Sequence, residues 1–229
     1  MLLAPLRQLR CHGKQPVDRG LWLHTLTPKA AQEKIPMNAS PRPLLTIGHS
    51  NHPTDHFLAL LARHGVETVA DVRSRPYSRF VPQYRKRTLA GILADAGIGY
   101  LFLGEELGGK PPRADPAAVR LDYAARIRAP AFQDGIAQLL AAVQEAPVAL
   151  LCRERDPLEC HRLHLICRHL APERLDIRHI LPDGRAEPQS ATERRLLAQA
   201  DAPLFAPADP MPEADALQRE YDRWWQQSR

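Results

Sequence analysis

The chain has 229 residues, of which 44% are hydrophobic and 25% charged, with a formal net charge of +5 and four cysteines. That length holds one good-sized domain with a real core, four cysteines are too few for a disulfide framework, and no apolar run approaches the roughly 20 residues that cross a bilayer. The charge sits at one end. Residues 1–42 carry seven Lys/Arg against two acids, and the remainder carries 24 side chains of each sign, so the high pI is no signature of a nucleic-acid-binding domain.

Residues 1–42 sustain neither a helical nor a strand period and read as a disordered basic leader. An Arg-rich, acid-poor stretch suits an organelle transit peptide, but a start-site extension ahead of an alternative start at Met37 is the simpler reading. Pro5 breaks the short apolar opening, so no secretory signal is expected and a cytoplasmic, reducing compartment is the default. From Pro43 the pattern turns regular. Leu44 to Ile47 form a strand ending at Gly48-His49-Ser50, and Thr54 caps a helix over 55–64 that Gly65 stops. A second strand runs over 68–73, a helix over 88–96 closes at Gly97, and a third strand covers 100–103.

A loop with Gly108, Gly109, Pro111 and Pro112 follows, then a short helix over 118–128 and a longer one over 131–144. Val148–Cys152 is continuously apolar, as central parallel strands are. A helix over 160–170 and a strand over 176–181 complete the pattern. Alternation of this kind predicts one three-layer α/β domain over 43–182: a mostly parallel sheet of about five strands with helices on both faces. Residues 183–229 read as an acidic Ala/Pro-rich tail that ends in a helix over 213–227. Tyr221, Trp224 and Trp225 in that helix are expected to dock on the domain.

Three groups of residues carry chemistry. The first runs from Cys152 to Arg162, where two thiols, Glu154, His161 and Arg162 crowd a strand end and the following helix start, a usual ligand-binding place in open α/β sheets. Cys160, in the first helical turn, is positioned for a lowered pKa. Three readings of the thiols stay open: a nucleophile with His161 as base, a zinc site built from Cys152, Cys160 and an imidazole but lacking an obvious fourth ligand, or a pair of inert buried cysteines. Cys167 repeats with Leu163 and Leu170 at helical spacing and belongs to the core.

The second group is the segment from Asp71 to Ala90, with six basic residues (Arg73, Arg75, Arg79, Arg85, Lys86, Arg87) against the single acid Asp71. Asp71 and Arg73 share a strand face, and the guanidinium groups suit bidentate binding of phosphate or carboxylate. Tyr77, Phe80 and Tyr84 interleave with them and could stack on a base. The plainer reading is a solvated basic loop over a structural Asp71–Arg73 pair. The third group is Gly48-His49-Ser50, which presents N–H groups and an imidazole at the same sheet end.

Together these groups resemble the domain of unknown function 488 family. The resemblance rests on Thr46-Ile47-Gly48-His49-Ser50, on Asp71-Val72-Arg73-Ser74 with Pro76 and Ser78, and on Tyr100 with Leu107-Gly108-Gly109. It closes with Leu151-Cys152, Glu154 and Cys160-His161-Arg162, spanning about 43–182. It implies a compact α/β domain with its polar motifs at one site, and no settled reaction. By that resemblance His49, Asp71, Arg73, Glu154, Cys160, His161 and Arg162 line the site.

The expected function is an enzyme acting on a phosphate-bearing substrate, a small nucleotide or a nucleic acid, by general acid/base chemistry. Glu154, His161, Cys160 and Asp71 are its candidate catalytic groups. His49, Ser50, Arg73, Arg75, Ser78, Cys152 and Arg162 are its candidate binding groups. No metal, cofactor or membrane partner is assigned. The alternative is a non-catalytic anion- or nucleic-acid-binding module. Behind both stand a zinc site and a rhodanese-like thiol enzyme, though Cys152 lacks the glycine-containing loop of the latter.

Overall fold

The structure is a computed structural model that describes residues 42–110, 122–173, 175–200 and 212–227. The proposed leader and most of the glycine–proline loop lie outside the described residues. The first strand β1 (Leu44–Gly48) is followed by α1 (Thr54–Arg63), β2 (Thr68–Asp71), α2 (Lys86–Asp95) and β3 (Gly99–Phe102). Next come α3 (Tyr123–Arg128), α4 (Pro130–Glu145), β4 (Val148–Cys152) and a π-helical segment Arg162–Cys167 that runs into the short α5 (Arg168–Leu170). β5 (Ile177–Ile180), β6 (Ala186–Pro188), α6 (Gln189–Gln199) and α7 (Glu213–Gln227) complete the chain order.

The six strands form one sheet in the order β3-β2-β4-β1-β5-β6, parallel except where β6 runs against β5. Alternate side chains divide the core. Leu45, Ile47, Val69, Ala149 and Leu151 pack with α1 and α2, while Leu44, Ala70, Val148 and Leu150 pack with α4 and the π-helical segment. Helices therefore cover both faces of the sheet, and the protein is a single α/β domain. Its chain leaves β2 toward β3 and leaves β4 toward β5, on opposite sides. Since β2 and β4 are neighbours, their carboxyl ends are the place where an open α/β sheet of this order binds ligands.

Two differences from the sequence pattern matter. The tail supplies β6 and α6, which sit at the sheet's edge, because Glu187 and Pro188 are too polar and short a run to read as a strand. The helix expected over 160–170 begins with a 3-10 turn Pro157–Glu159 and an extended Cys160 (φ −131°, ψ 139°). At the other end α7 docks on the domain: Trp224 lies flat on His164, with ring centroids 4.2 Å apart, and Tyr221 is buried.

Candidate functional site

The backbone brings the three sequence groups to one sheet end, and the alternation of side chains then separates them. The His49 N–H donates to the Cys152 carbonyl at 2.9 Å, and the Ser50 N–H to that of Arg153 at 2.8 Å. The Val72 N–H donates to the Leu151 carbonyl at 3.1 Å. The side chains, however, form two clusters, one on each face of the sheet.

Asp71 and Arg73 lie on the α1/α2 face. Arg73 donates from Nε to Asp71 Oδ1 at 2.8 Å and from Nη2 to Oδ2 at 2.6 Å, with both residues buried. Its Nη1 donates to the Tyr84 carbonyl at 2.8 Å and lies 3.0 Å from His49 Nε2. The Tyr100 hydroxyl donates to Asp71 Oδ2 at 2.7 Å. His49 Nδ1 lies 2.8 Å from the Ser50 carbonyl, which can only accept, so Nδ1 carries the proton and Nε2 accepts from Arg73. Burial and then the Arg73 charge hold His49 down to about 4, and its ring stacks on Tyr84 at 4.2 Å. Its hydrogen bonds close among these residues, while the Glu154 and Cys152 charges of the second cluster still act on His49 and Arg73.

The other face holds the second cluster. Cys152 ends β4, and its thiol donates to Glu154 Oε2 at 3.0 Å and lies 3.5 Å from His161 Nδ1. Cys160 Sγ lies 3.9 Å from the same nitrogen. Adjacent residues converge here because the backbone changes from extended at Cys160 to helical at His161 (φ −59°, ψ −20°). In a regular helix or strand, neighbouring side chains diverge. His161 Nε2 donates to the Val72 carbonyl at 3.1 Å, which leaves Nδ1 facing the sulfurs. Gly109 roofs the ring: a Cβ there would lie 2.7 Å from His161 Cγ.

The electrostatics follow from this crowding. Burial pushes the Cys152 thiol up, but the hydrogen bond from Cys160 and the His161 imidazole outweigh it and bring the thiol well down. Cys160, in contrast, is pushed up by burial and by the Cys152 charge, the opposite of what a helix start predicts for it. Burial works against a charged Glu154, yet the Cys152 hydrogen bond holds its carboxyl below the usual range. Glu154 is the outlet of the cluster, because 26% of its side chain is exposed while Cys152 and Cys160 are buried.

Arg162 is buried with no exposed surface. It donates from Nη1 to the Glu154 carbonyl at 3.0 Å and from Nη2 to the Arg155 carbonyl at 3.1 Å, holding the turn that carries Glu154. Gly48 lies against that turn, and a Cβ there would meet the Glu154 carbonyl oxygen. Ser50 holds a left-handed turn (φ 46°), and Ser78 Oγ accepts from the Phe80 and Val81 N–H groups, shaping the basic loop. Arg75 is exposed on that loop. There Arg79 stacks on Phe80 and Arg85 on Tyr77, each guanidinium carbon 4.8 Å from the ring centroid. Both rings are exposed, Tyr77 by 73% and Phe80 by 81%.

A family model described as Domain of unknown function DUF488 matches residues 53–168. The chain belongs to the DUF488 family. The match covers both side-chain clusters of this DUF488 domain except His49, which lies just ahead of it. The comparisons with curated proteins and with solved structures found no match. Sequence reasoning missed Tyr84 and the clamp on the Glu154 turn, in which Arg195 of α6 donates to Asp156 Oδ2 at 2.9 Å and to Glu187 Oε1 at 3.0 Å. Tyr84 lay within the basic segment as a candidate for stacking on a base, and nothing local marks it as the partner of His49. No described helix is long and apolar enough to cross a membrane.

Proposed function

We propose that the protein is an enzyme acting on a phosphate-bearing substrate, a nucleotide or a nucleic acid, and that Glu154 takes up and returns the proton of the reaction. The observation that carries this reading is the Glu154 carboxylate: it is partly exposed just past the carboxyl end of β4 and is held 3.0 Å from a thiol that a buried imidazole flanks. A carboxylate beside groups that contest one proton is suited to general acid/base work. The Asp71–Arg73–His49 cluster then serves as a buried support.

The phosphate falls to the basic segment, where Arg75, Arg79 and Arg85 of the loop and Lys86 and Arg87 at the start of α2 carry five positive charges and Tyr77 and Phe80 offer faces for a base. Arg73 and Arg162 have their guanidinium groups turned to protein partners. A panel of nucleotides, phosphosugars and short single strands, read by thermal shift and turnover, tests the proposal. Glu154→Gln is expected to abolish turnover and retain binding, and the double variant Arg79→Ala/Arg85→Ala to weaken binding of the best ligand about tenfold or more. No shift with any member of the panel sinks the phosphate reading. The paired arginines and rings favour one second reading, a non-enzymatic binding module. Steeply salt-dependent binding without turnover, indifferent to Glu154→Gln, would establish it.

A further inference from the structure

We propose that Cys152, Cys160 and His161 bind a zinc ion that Glu154 faces from the solvent side. The three donor atoms are two sulfurs and one imidazole nitrogen, all within 4.8 Å of one another. Zinc at about 2.3 Å from sulfur and about 2.0–2.1 Å from nitrogen, in tetrahedral geometry, sets sulfur–nitrogen edges of about 3.6 Å. The observed edges to His161 Nδ1 are 3.5 Å from Cys152 and 3.9 Å from Cys160. Both sulfur–nitrogen edges thus stand at ligand spacing, and the sulfur–sulfur edge, within 4.8 Å, must close to about 3.8 Å on a tetrahedral ion.

The surroundings suit an ion rather than a chance meeting of side chains. His161 donates its remote N–H to the Val72 carbonyl, the arrangement that orients metal-binding histidines and frees the other nitrogen. The Arg162 N–H donates to Cys160 Sγ at 3.4 Å, a contact that favours the thiolate a metal needs. Charge argues the same way. Cys152 and Cys160 are buried and both form anions, and the Arg162 guanidinium spends its terminal nitrogens on carbonyls, while the partly exposed Glu154 already faces Arg153 at 3.3 Å. Two buried thiols side by side ionise together only with a cation between them. Two sulfurs and an imidazole select zinc over magnesium or calcium, which take oxygen. Cys167 supplies the contrast, packed in the core with Leu163 and Ile166 and out of this cluster.

Three protein ligands leave one position of a tetrahedral ion for water, and Glu154 is the group placed beside it. That role rests on the reading of Glu154 given above, whereas occupancy of the site does not. The test uses the full chain, grown with zinc and purified without chelator. Elemental analysis is expected to give about one zinc per chain. Replacement by cobalt is expected to give sulfur-to-cobalt charge-transfer absorption and the intense visible bands of a tetrahedral site.

Cys160→Ser and His161→Gln are each expected to lose most of the zinc, and Cys167→Ala to retain it. Should those two ligand variants fail to fold, the wild type answers by peptide-mapped alkylation. Cys152 and Cys160 are expected to be protected in the zinc form, to react after chelation, and to regain protection when zinc is restored. Less than about one tenth of a zinc per chain after loading overturns the proposal. So does full zinc retention in both folded ligand variants, or a Cys152–Cys160 disulfide in zinc-free protein. None of these readouts involves a substrate. A protein that holds zinc yet binds no phosphate compound refutes only the proposed substrate, and one that turns over phosphate compounds without zinc refutes only the metal.

Discussion

Asp71 and Gly48 show how single residues at this sheet end are fixed by what lies against them. Asp71 is fully buried and accepts both prongs of the Arg73 fork together with the Tyr100 hydroxyl. Replacing it by Asn leaves a buried guanidinium with no counter-charge, a loss of about 3–5 kcal/mol. Urea unfolding of Asp71→Asn checks that figure, and a change under about 1 kcal/mol would show that the pair is not the support described. At Gly48 the constraint is steric. A methyl group would overlap the Glu154 carbonyl and approach Arg162 Nη1 within 2.6 Å. Gly48→Ala is expected to lower stability by about 1–3 kcal/mol and to displace Glu154, so its loss of turnover should exceed what reduced folding explains.

At the level of elements, the site depends on an irregular junction. The chain leaves β4, makes a 3-10 turn, extends through Cys160 and enters a π-helical segment. Widened helical turns of this kind are common where function needs side chains aimed unusually. Here the junction brings two neighbouring side chains to one point. α6 clamps the same turn from outside through the Arg195 fork on Asp156, a partly exposed pair whose loss costs about 1 kcal/mol or less in global stability. Its larger effect is local. Arg195→Ala is expected to raise amide exchange over 154–160 while leaving exchange in β1 and β4 unchanged, and uniform exchange across the domain would refute the clamp.

Across the whole molecule, one buried polar chain ties the sheet to the C-terminal helices. Thr46 Oγ1 lies 2.8 Å from His179 Nδ1, and His179 Nε2 lies 2.8 Å from Gln189 Oε1. Gln189 Nε2 in turn donates to the Tyr221 hydroxyl at 3.1 Å. The Gln189 oxygen can only accept, so His179 Nε2 carries a proton. Burial, and after it the Arg162 charge, holds His179 down to about 4, and burial does the same for His164. The unfolded chain binds these protons near pH 6.5 and the folded one does not. Their contribution is therefore intact above about pH 6.5 and is lost as pH falls toward 4, with a slope of about 1.4 kcal/mol per pH unit for each group. Denaturant midpoints measured from pH 7 to 4.5 should fall accordingly, and His179→Gln should flatten the curve by one proton's worth. An unchanged slope in that variant would show that His179 is not the titrating group.

Much of this protein was legible in its sequence because the signals are local. Continuous apolar runs such as Val148–Cys152 mark buried parallel strands, Gly65 and Gly97 end helices, and the three polar motifs follow strand ends where an open α/β sheet gathers them. β6 and α6 escaped because three residues at a sheet edge, Ala186-Glu187-Pro188, carry no periodic pattern. The sequence by itself determined the α/β fold and the sheet end at which the polar motifs meet. Tertiary structure alone decided how those motifs divide: side-chain alternation sends Asp71, Arg73 and His49 to one face of the sheet and Cys152 to the other. The turn from extended to helical backbone at Cys160 then brings two thiols, an imidazole and a carboxylate together. Such convergence depends on distances between strands and on backbone direction at one residue, which no spacing along the chain encodes.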